Sequence, residues 1–228
     1  MTVPPATVAV CRIDLDAEAA RSRAYEGLLS PSERERARRF RVAGAHTEFV
    51  VTRAVLRLLL GEHVGCSPRA LRIETAEAGG KPYLADLPTV QFSVSHTRGL
   101  SMVTYGDSGS VGVDVECLEC GVDVDLLAPR CLTADEQVLF ERLPRGARRR
   151  AFLTAWTRKE AVLKAEGVGL SGDLRSVEVG VGMADDAQAG RGQWWRLLGL
   201  EAGPRHVAAL ALRREQAVIV RDFCWPGQ

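Results

Sequence analysis

Two carboxylates stand two residues apart in Val111-Gly112-Val113-Asp114-Val115-Glu116. In a strand, side chains alternate, so the three valines face one way and Asp114 and Glu116 the other. The two acids are then ~7 Å apart along the strand, close enough to reach one cation. An amphipathic strand with a wet acidic face would read the same way. A helical pattern downstream supplies a third acid. At about 100° per residue, Phe152, Trp156 and Leu163 form an apolar stripe, Glu160 falls at its edge and Lys164 follows one turn on. A carboxylate at the margin of a core is costly unless a positive charge meets it. Lys164 can be that charge, as an ordinary i,i+4 partner. A divalent cation shared with Asp114 and Glu116 is the alternative. Three carboxylates with room for water suit magnesium, which is usually held by few carboxylates plus substrate phosphates, and Lys164 would then contact a phosphate.

Two further pieces fit a phosphate-bearing substrate. Gly79-Gly80-Lys81-Pro82 is a stiff loop with one cation, although many turns look like it. It is not a P-loop, since GxxxxGK[ST] is absent. Phe92-Ser93-Val94-Ser95-His96 ends a strand with a hydroxyl and an imidazole. Adjacent strand residues point to opposite faces, so Ser95 and His96 do not read as a nucleophile and its base. Cys117 and Cys120 form one CxxC, half a zinc site or a redox pair by spacing. With no second CxxC or CxxH, inert reduced thiols are the plainer reading.

The elements that must position these residues alternate twice. A strand over 8–14 opens the chain, and Ser30-Pro31-Ser32-Glu33 starts a helix with a serine cap and proline at its first position. A helix over 45–60 is expected to stop at Gly61. Strands follow over 90–95, 100–105 and 111–116, then a long helix over 149–166 closing at Gly167, then short strands over 177–181, 194–198, 207–212 and 217–221. Phe49 followed by Arg53-Ala54-Val55-Leu56-Arg57 echoes Trp156 followed by Glu160-Ala161-Val162-Leu163-Lys164, a hint of duplication. The expected architecture is α+β (α/β-type), a pseudo-dimer of two similar halves, 1–108 and 109–228.

With 228 residues, 46% hydrophobic, and 30 basic against 29 acidic side chains, the net charge of +1 argues against a dedicated nucleic-acid binder. No apolar run approaches the ~20 residues of a membrane span. The first ten residues hold no Lys or Arg, so a cytoplasmic location is expected. Local charge is less even: residues 32–41 read SERERARRFR, and residues 142–150 hold five arginines. Solvated helix faces explain such runs, as do positive patches for an anionic ligand or an acidic partner.

Taken together, GKPYL, FSVSH, VGVDVE and FLTAWTRKEAVLKAEGVGL, in that order and spacing, resemble the Sfp-type 4′-phosphopantetheinyl transferases over about residues 29–170. The resemblance implies transfer of 4′-phosphopantetheine from coenzyme A to a serine of an acyl or peptidyl carrier protein, releasing 3′,5′-ADP. It implies a monomer whose two halves hold coenzyme A and magnesium between them. The family's metal acids fall on Asp114, Glu116 and Glu160, and its pyrophosphate lysine on Lys164. Lys81 and Pro82 fall on the coenzyme A loop, and Ser95 and His96 near the 3′-phosphoadenosine. Leu132-Thr133-Ala134-Asp135-Glu136 matches the segment whose glutamate, here Glu136, is often proposed as the base. The residues alone read Glu136 equally as a capping partner of Thr133. Where some members carry a 3′-phosphate lysine this chain has Glu33, leaving that contact to Arg36, Arg39 or Arg53; His46 stands where many members have an acid. A magnesium-dependent coenzyme A or nucleotide pyrophosphatase, and a non-catalytic coenzyme A or carrier-binding module, are the alternatives.

Overall fold

The computed structural model describes residues 6–75, 80–107, 109–168, 172–181, 186–190, 194–213 and 218–227. Strand β1 (Ala6–Asp14) leads through short helices α1 (Leu15–Glu18) and α2 (Ser22–Tyr25) to α3 (Pro31–Arg38) and α4 (Ala43–Val64). A two-stranded ribbon, β2 (Ile73–Thr75) with β3 (Pro82–Leu84), precedes the antiparallel hairpin β4 (Gln91–Thr97) and β5 (Leu100–Gly106). The second round is β6 (Val111–Cys117), α5 (Val124–Cys131), α6 (Ala134–Glu141) and α7 (Arg145–Glu166). Strands β7 (Asp186–Gly190), β8 (Trp194–Gly199), β9 (His206–Arg213) and β10 (Val218–Cys224) follow.

Two four-stranded sheets result, ordered β10-β1-β5-β4 and β6-β9-β8-β7. Apolar residues of α4 pack on the first sheet, and those of α7 on the second. Smaller clusters join the sheets to each other: Val8 and Val10 meet Val111, Leu210 and Leu212, and Leu100 and Met102 meet Val113 and Val115. The mixed α and β content matches the expected class. The last strand does not respect the division at residue 108, because β10 pairs in parallel with β1. Alternation of Val8 and Val10 shows that β1 is buried, and β10 covers its second edge.

The halves repeat each other in detail. Ser30 caps α3 in a reciprocal box with Glu33, and Thr133 caps α6 in the same way with Glu136. Each glutamate is buried and takes a cation from the long helix of its half. Arg57 Nε lies 2.6 Å from Glu33, and Lys159 Nζ lies 2.7 Å from Glu136. Each cation also donates to carbonyls flanking a 3-10 turn: Arg57 to Pro68 and Leu71, Lys159 to Leu174 and Val177. Both long helices have 22 residues and end on a left-handed glycine, Gly65 at φ +69° and Gly167 at φ +80°. Ala43 corresponds to Arg145, Arg57 to Lys159 and Gly65 to Gly167, each 102 residues on. The echo read from the sequence was therefore five residues out of register, about 140° around the helix.

Other differences have local causes. Helix α4 runs through Gly61, whose missing side chain leaves room for the returning chain: a Cβ there would stand 2.8 Å from the Cys66 carbonyl oxygen. Residues 177–181 form no strand, although Val177 and Val179 are buried. Their backbone groups are taken up by the ion pair beneath, the Val179 and Gly180 amides by Glu136 and the Val177 carbonyl by Lys159. Strand β7 was not foreseen. Gly79, Ser108 and Ala217 lie outside the described residues.

Candidate active site

Strand β6 meets α7 backbone to backbone. A Cβ on Gly112 would stand 2.0 Å from the Ala161 carbonyl oxygen and 2.6 Å from the Ala165 amide nitrogen, so only glycine permits the approach. Its consequence appears two residues on, where Asp114 Oδ1 lies 2.6 Å from Lys164 Nζ. The lysine thus pairs across elements with the strand, rather than along its own helix with Glu160 as the i,i+4 reading had it.

Asp114 is held from the opposite side as well. Ser95 Oγ donates to its Oδ1 at 2.7 Å and accepts the Val115 amide at 3.3 Å. Ser93 Oγ accepts the Val113 amide at 3.2 Å, and Lys81 Nζ donates to the Val111 carbonyl at 2.9 Å. These side chains of the first half satisfy the edge of β6 in place of a backbone ladder. Asp114 Oδ2 is buried and without a hydrogen-bond partner.

The Trp156 side chain lies near enough to Glu116 to help lower its pKa. Trp156 also packs on Phe152 with centroids 5.9 Å apart, so the residue assigned to a core stripe has a polar task at its other end. Burial, with the Asp114 charge next, pushes the Glu116 carboxyl up to about 7, against the pull of Lys164. Burial and Asp114 raise Glu160 too, again opposed by Lys164. Three carboxylates thus share one poorly solvated region with a single adjacent ammonium. Among the described residues no three His, Cys, Asp or Glu side chains form a ready-made coordination set. The donor chemistry nevertheless fits a hard cation: the donors are all oxygen, one of them is orphaned, and mutual repulsion raises two of the acids.

The other expected residues fall into two groups. His96 is exposed at the next position of β4; the surrounding protein lowers its pKa, Glu48 opposes this, and Lys164 and Arg36 add to it. The imidazole therefore feels charges on α3, α4 and α7 together. Lys81 lies beside β6 and the end of α7, its Nζ also on Gln91 at 3.3 Å, and burial pushes it down to about 8. Pro82 opens β3 next to it.

Glu136 and Arg53 stand apart. Both Glu136 oxygens are engaged by Thr133, Lys159 and the Val179 and Gly180 amides, and the residue is 1% exposed. The structure gives it the capping role, not that of a base reaching solvent or substrate. Arg53 Nε lies 3.0 Å from Glu33, which explains the acid at position 33: it is the structural counterpart of Glu136. Arg39 pairs with Glu35 on the outer face, and Arg36 lies 5.4 Å over the Phe49 ring and reaches His96 electrostatically. His46 lies 3.8 Å from Glu26. Gly112 and Ser93 escaped the sequence reading. Only the glycine inside a valine-rich strand signalled anything, namely close backbone approach.

A family model described as the 4′-phosphopantetheinyl transferase superfamily matches residues 110–197. The 4′-phosphopantetheinyl transferase HetI of Nostoc sp. is 31% identical over 204 residues, which cover 88% of this chain and 85% of that protein. The L-aminoadipate-semialdehyde dehydrogenase-phosphopantetheinyl transferase of Eremothecium gossypii is 35% identical over 157 residues, covering 67% of this chain and 56% of its own. The 4′-phosphopantetheinyl transferase Sfp of Bacillus subtilis is 27% identical over 155 residues, covering 68% and 67%.

Proposed function

Because this chain belongs to the 4′-phosphopantetheinyl transferase superfamily, we propose that it transfers 4′-phosphopantetheine from coenzyme A to a serine of an acyl or peptidyl carrier protein. The observation that carries the assignment is the cluster of Asp114, Glu116, Glu160 and Lys164, drawn together by Gly112 and braced from the other half by Ser95. In the reaction the serine oxygen bonds to the phosphorus bearing pantetheine, the pyrophosphate P–O bond breaks, and 3′,5′-ADP leaves.

Asp114, Glu116 and Glu160 would hold magnesium, which when bound neutralises charge on the pyrophosphate. Lys164 donates to the phosphate being cleaved and stabilises it as negative charge builds. Its present partner, Asp114 Oδ1, keeps the ammonium aimed at the cluster until a phosphate competes for it. Glu160, held on a rigid helix with its proton affinity raised, accepts the proton that the serine loses. Arg36 and His96 face the 3′-phosphate end of coenzyme A, with Lys81 on its other flank. Positioning supplies much of the rate, since well-oriented reactants recover ~7–11 kcal/mol. The proposed enzyme is a cytoplasmic monomer; no described helix is long and apolar enough to cross a membrane.

The test is incubation with coenzyme A and an apo carrier protein, read by mass spectrometry of the carrier. A gain of one phosphopantetheine is expected. Coenzyme A cleavage without that gain would replace the transferase by a pyrophosphatase, and absence of turnover would leave a binding module.

A further inference from the structure

Two serines of β4 reach β6 in the same way, and one of them also reaches a carboxylate. Ser93 Oγ accepts the Val113 amide at 3.2 Å and Ser95 Oγ accepts the Val115 amide at 3.3 Å, so the strands run side by side in one register. A serine hydroxyl has one proton to give and two lone pairs to accept with. With the Val115 amide on a lone pair of Ser95, the proton goes to Asp114 Oδ1 at 2.7 Å. Ser93 has no second side-chain partner of this kind among the described residues. Both serines are buried, and the Ser95 backbone is itself fixed, its carbonyl accepting the Ser101 hydroxyl of β5 at 3.1 Å.

Asp114 Oδ1 therefore takes two donors, Ser95 and Lys164, while Oδ2 is buried and takes none. The two donors differ in what they can do next. Lys164 has a long stem, and the proposed reaction turns its ammonium toward a phosphate. Ser95 sits on a strand paired with β5 along its length and tied to β6 through both hydroxyls, so it stays.

We propose that Ser95 is a positioning residue for the metal: by occupying Oδ1 it makes Asp114 a one-oxygen ligand and reserves Oδ2 for the cation, with or without substrate. The inference rests on the magnesium site of the transferase reading. It takes Ser95 off coenzyme A, where the family resemblance placed it, because its one proton is spent on Asp114. A free carboxylate can offer a cation one oxygen or both, and magnesium demands near-ideal octahedral geometry. A hydrogen bond that closes one oxygen and sets the carboxylate plane therefore acts on affinity directly. Because Ser95 belongs to the first half and the three acids to the second, the cation site is complete only while the halves stay docked.

The experiment compares Ser95→Ala with Ser93→Ala. Each removes one hydroxyl that accepts a β6 amide, and only the first releases Asp114. Manganese ion, a paramagnetic probe for the magnesium site, is titrated into the full chain with coenzyme A present and the free ion is read by electron paramagnetic resonance, coenzyme A alone being the blank. Ser95→Ala should bind manganese ~10- to 100-fold more weakly than wild type, and Ser93→Ala within about twofold of it. If Ser95→Ala does not fold, Ser95→Cys carries the test, since its thiol keeps the volume and is only a weak donor. In carrier loading, the Ser95 variant should need more magnesium in the same proportion, then regain its turnover at saturating metal with an unchanged coenzyme A KM. Equal losses of metal affinity in the two alanine variants would overturn the proposal, because the amide contact alone would explain them. So would wild-type metal affinity without Ser95, or a wild-type chain that binds no manganese. A raised coenzyme A KM that excess magnesium does not restore would also overturn it and return Ser95 to the nucleotide. If metal affinity falls with Ser95 alone while the wild type loads no carrier, the transferase reading fails and the positioning role stands.

Discussion

Helices α4 and α7 have the same length, the same left-handed glycine terminus and the same buried cation at the same position, yet only α7 carries residues of the proposed site. At the positions equivalent to Glu160 and Lys164, α4 has Leu58 and Glu62. Strand β1, which opens the first half, contains no glycine and, on the same offset of 102, carries Arg12 and Asp14 where β6 presents its acids, with Asp14 spent on capping α1. What the halves share is therefore the scaffold: a capping glutamate that ties a short helix, a long helix and a 3-10 turn together. What differs is the face turned toward the cleft. On the proposed function, the first half supplies hydroxyls and cations to that cleft, and the second supplies carboxylates. A duplicated fold can divide a site in this way because the tie is internal to each half and makes no demand on the cleft.

The strongest way to break this comparison is to cut the two ties. Arg57→Met leaves Glu33 buried with one cation fewer, and Lys159→Met leaves Glu136 with none. Removing one partner of a buried pair costs ~3–5 kcal/mol, so both variants should show a large fall in denaturant midpoint. Arg57→Met should lose less, because Arg53 still faces Glu33. Equal losses, or a stable Lys159→Met, would remove the equivalence. Next in size is Lys164→Ala. Removal of one preorganised donor typically costs ~100- to 1,000-fold in kcat, with melting near normal, and Lys164→Arg should recover only part because a planar fork replaces a compact ammonium. Full turnover in Lys164→Ala would reduce the lysine to a structural partner of Asp114.

Gly112→Ala tests why one strand needs a glycine and the other does not. The added methyl meets backbone, which cannot swing away, so ~1–3 kcal/mol of stability should go, together with most turnover. Loss of stability alone would separate the close approach from the site. Lys81 gives the pH arm. Its folded pKa, about 8, lies below that of an unfolded lysine, so between about 8 and the unfolded value the unfolded chain binds more protons. The contribution of Lys81 to stability should therefore improve as pH rises through that window, and Lys81→Met should lack the rise in thermal scans. The smallest effect is expected for Arg39→Ala, whose exposed i,i+4 pair with Glu35 is worth ~0.3–0.5 kcal/mol, with loading unchanged. A loss of coenzyme A affinity there would move the 3′-phosphate contact outward from Arg36.

Alternation and helical period sufficed to group Asp114 and Glu116 with Glu160 and Lys164, because each pair is a local pattern. They could not show that Lys164 pairs with Asp114, a contact between elements fifty residues apart that depends on a missing Cβ at Gly112. Glu136 defeated local reading for a related reason. Its capping box with Thr133 was visible in the sequence, but the Lys159 and backbone partners that exclude it from the cleft come from far along the chain. Residues 177–181 carry a strand's apolar pattern, and only the buried ion pair reveals why they join no ladder. The register of the internal repeat was lost because Ala, Val and Leu recur in both helices, whereas Arg57 and Lys159 declare themselves only by their partners.

The pairing of β10 with β1 sets a constraint on how the molecule comes into being. The outermost strand of the first sheet is also the last described strand to be synthesised, with the whole second half lying between it and its neighbour. A ribosome can release α4 and the β1-β5-β4 portion early, but their exposed edge must wait for Val218–Cys224 before it is closed. Pairings of such long sequence separation slow folding, and an edge left open invites pairing with other chains. Nascent-chain length, more than the stability of either core, should therefore decide when this protein becomes safe from aggregation.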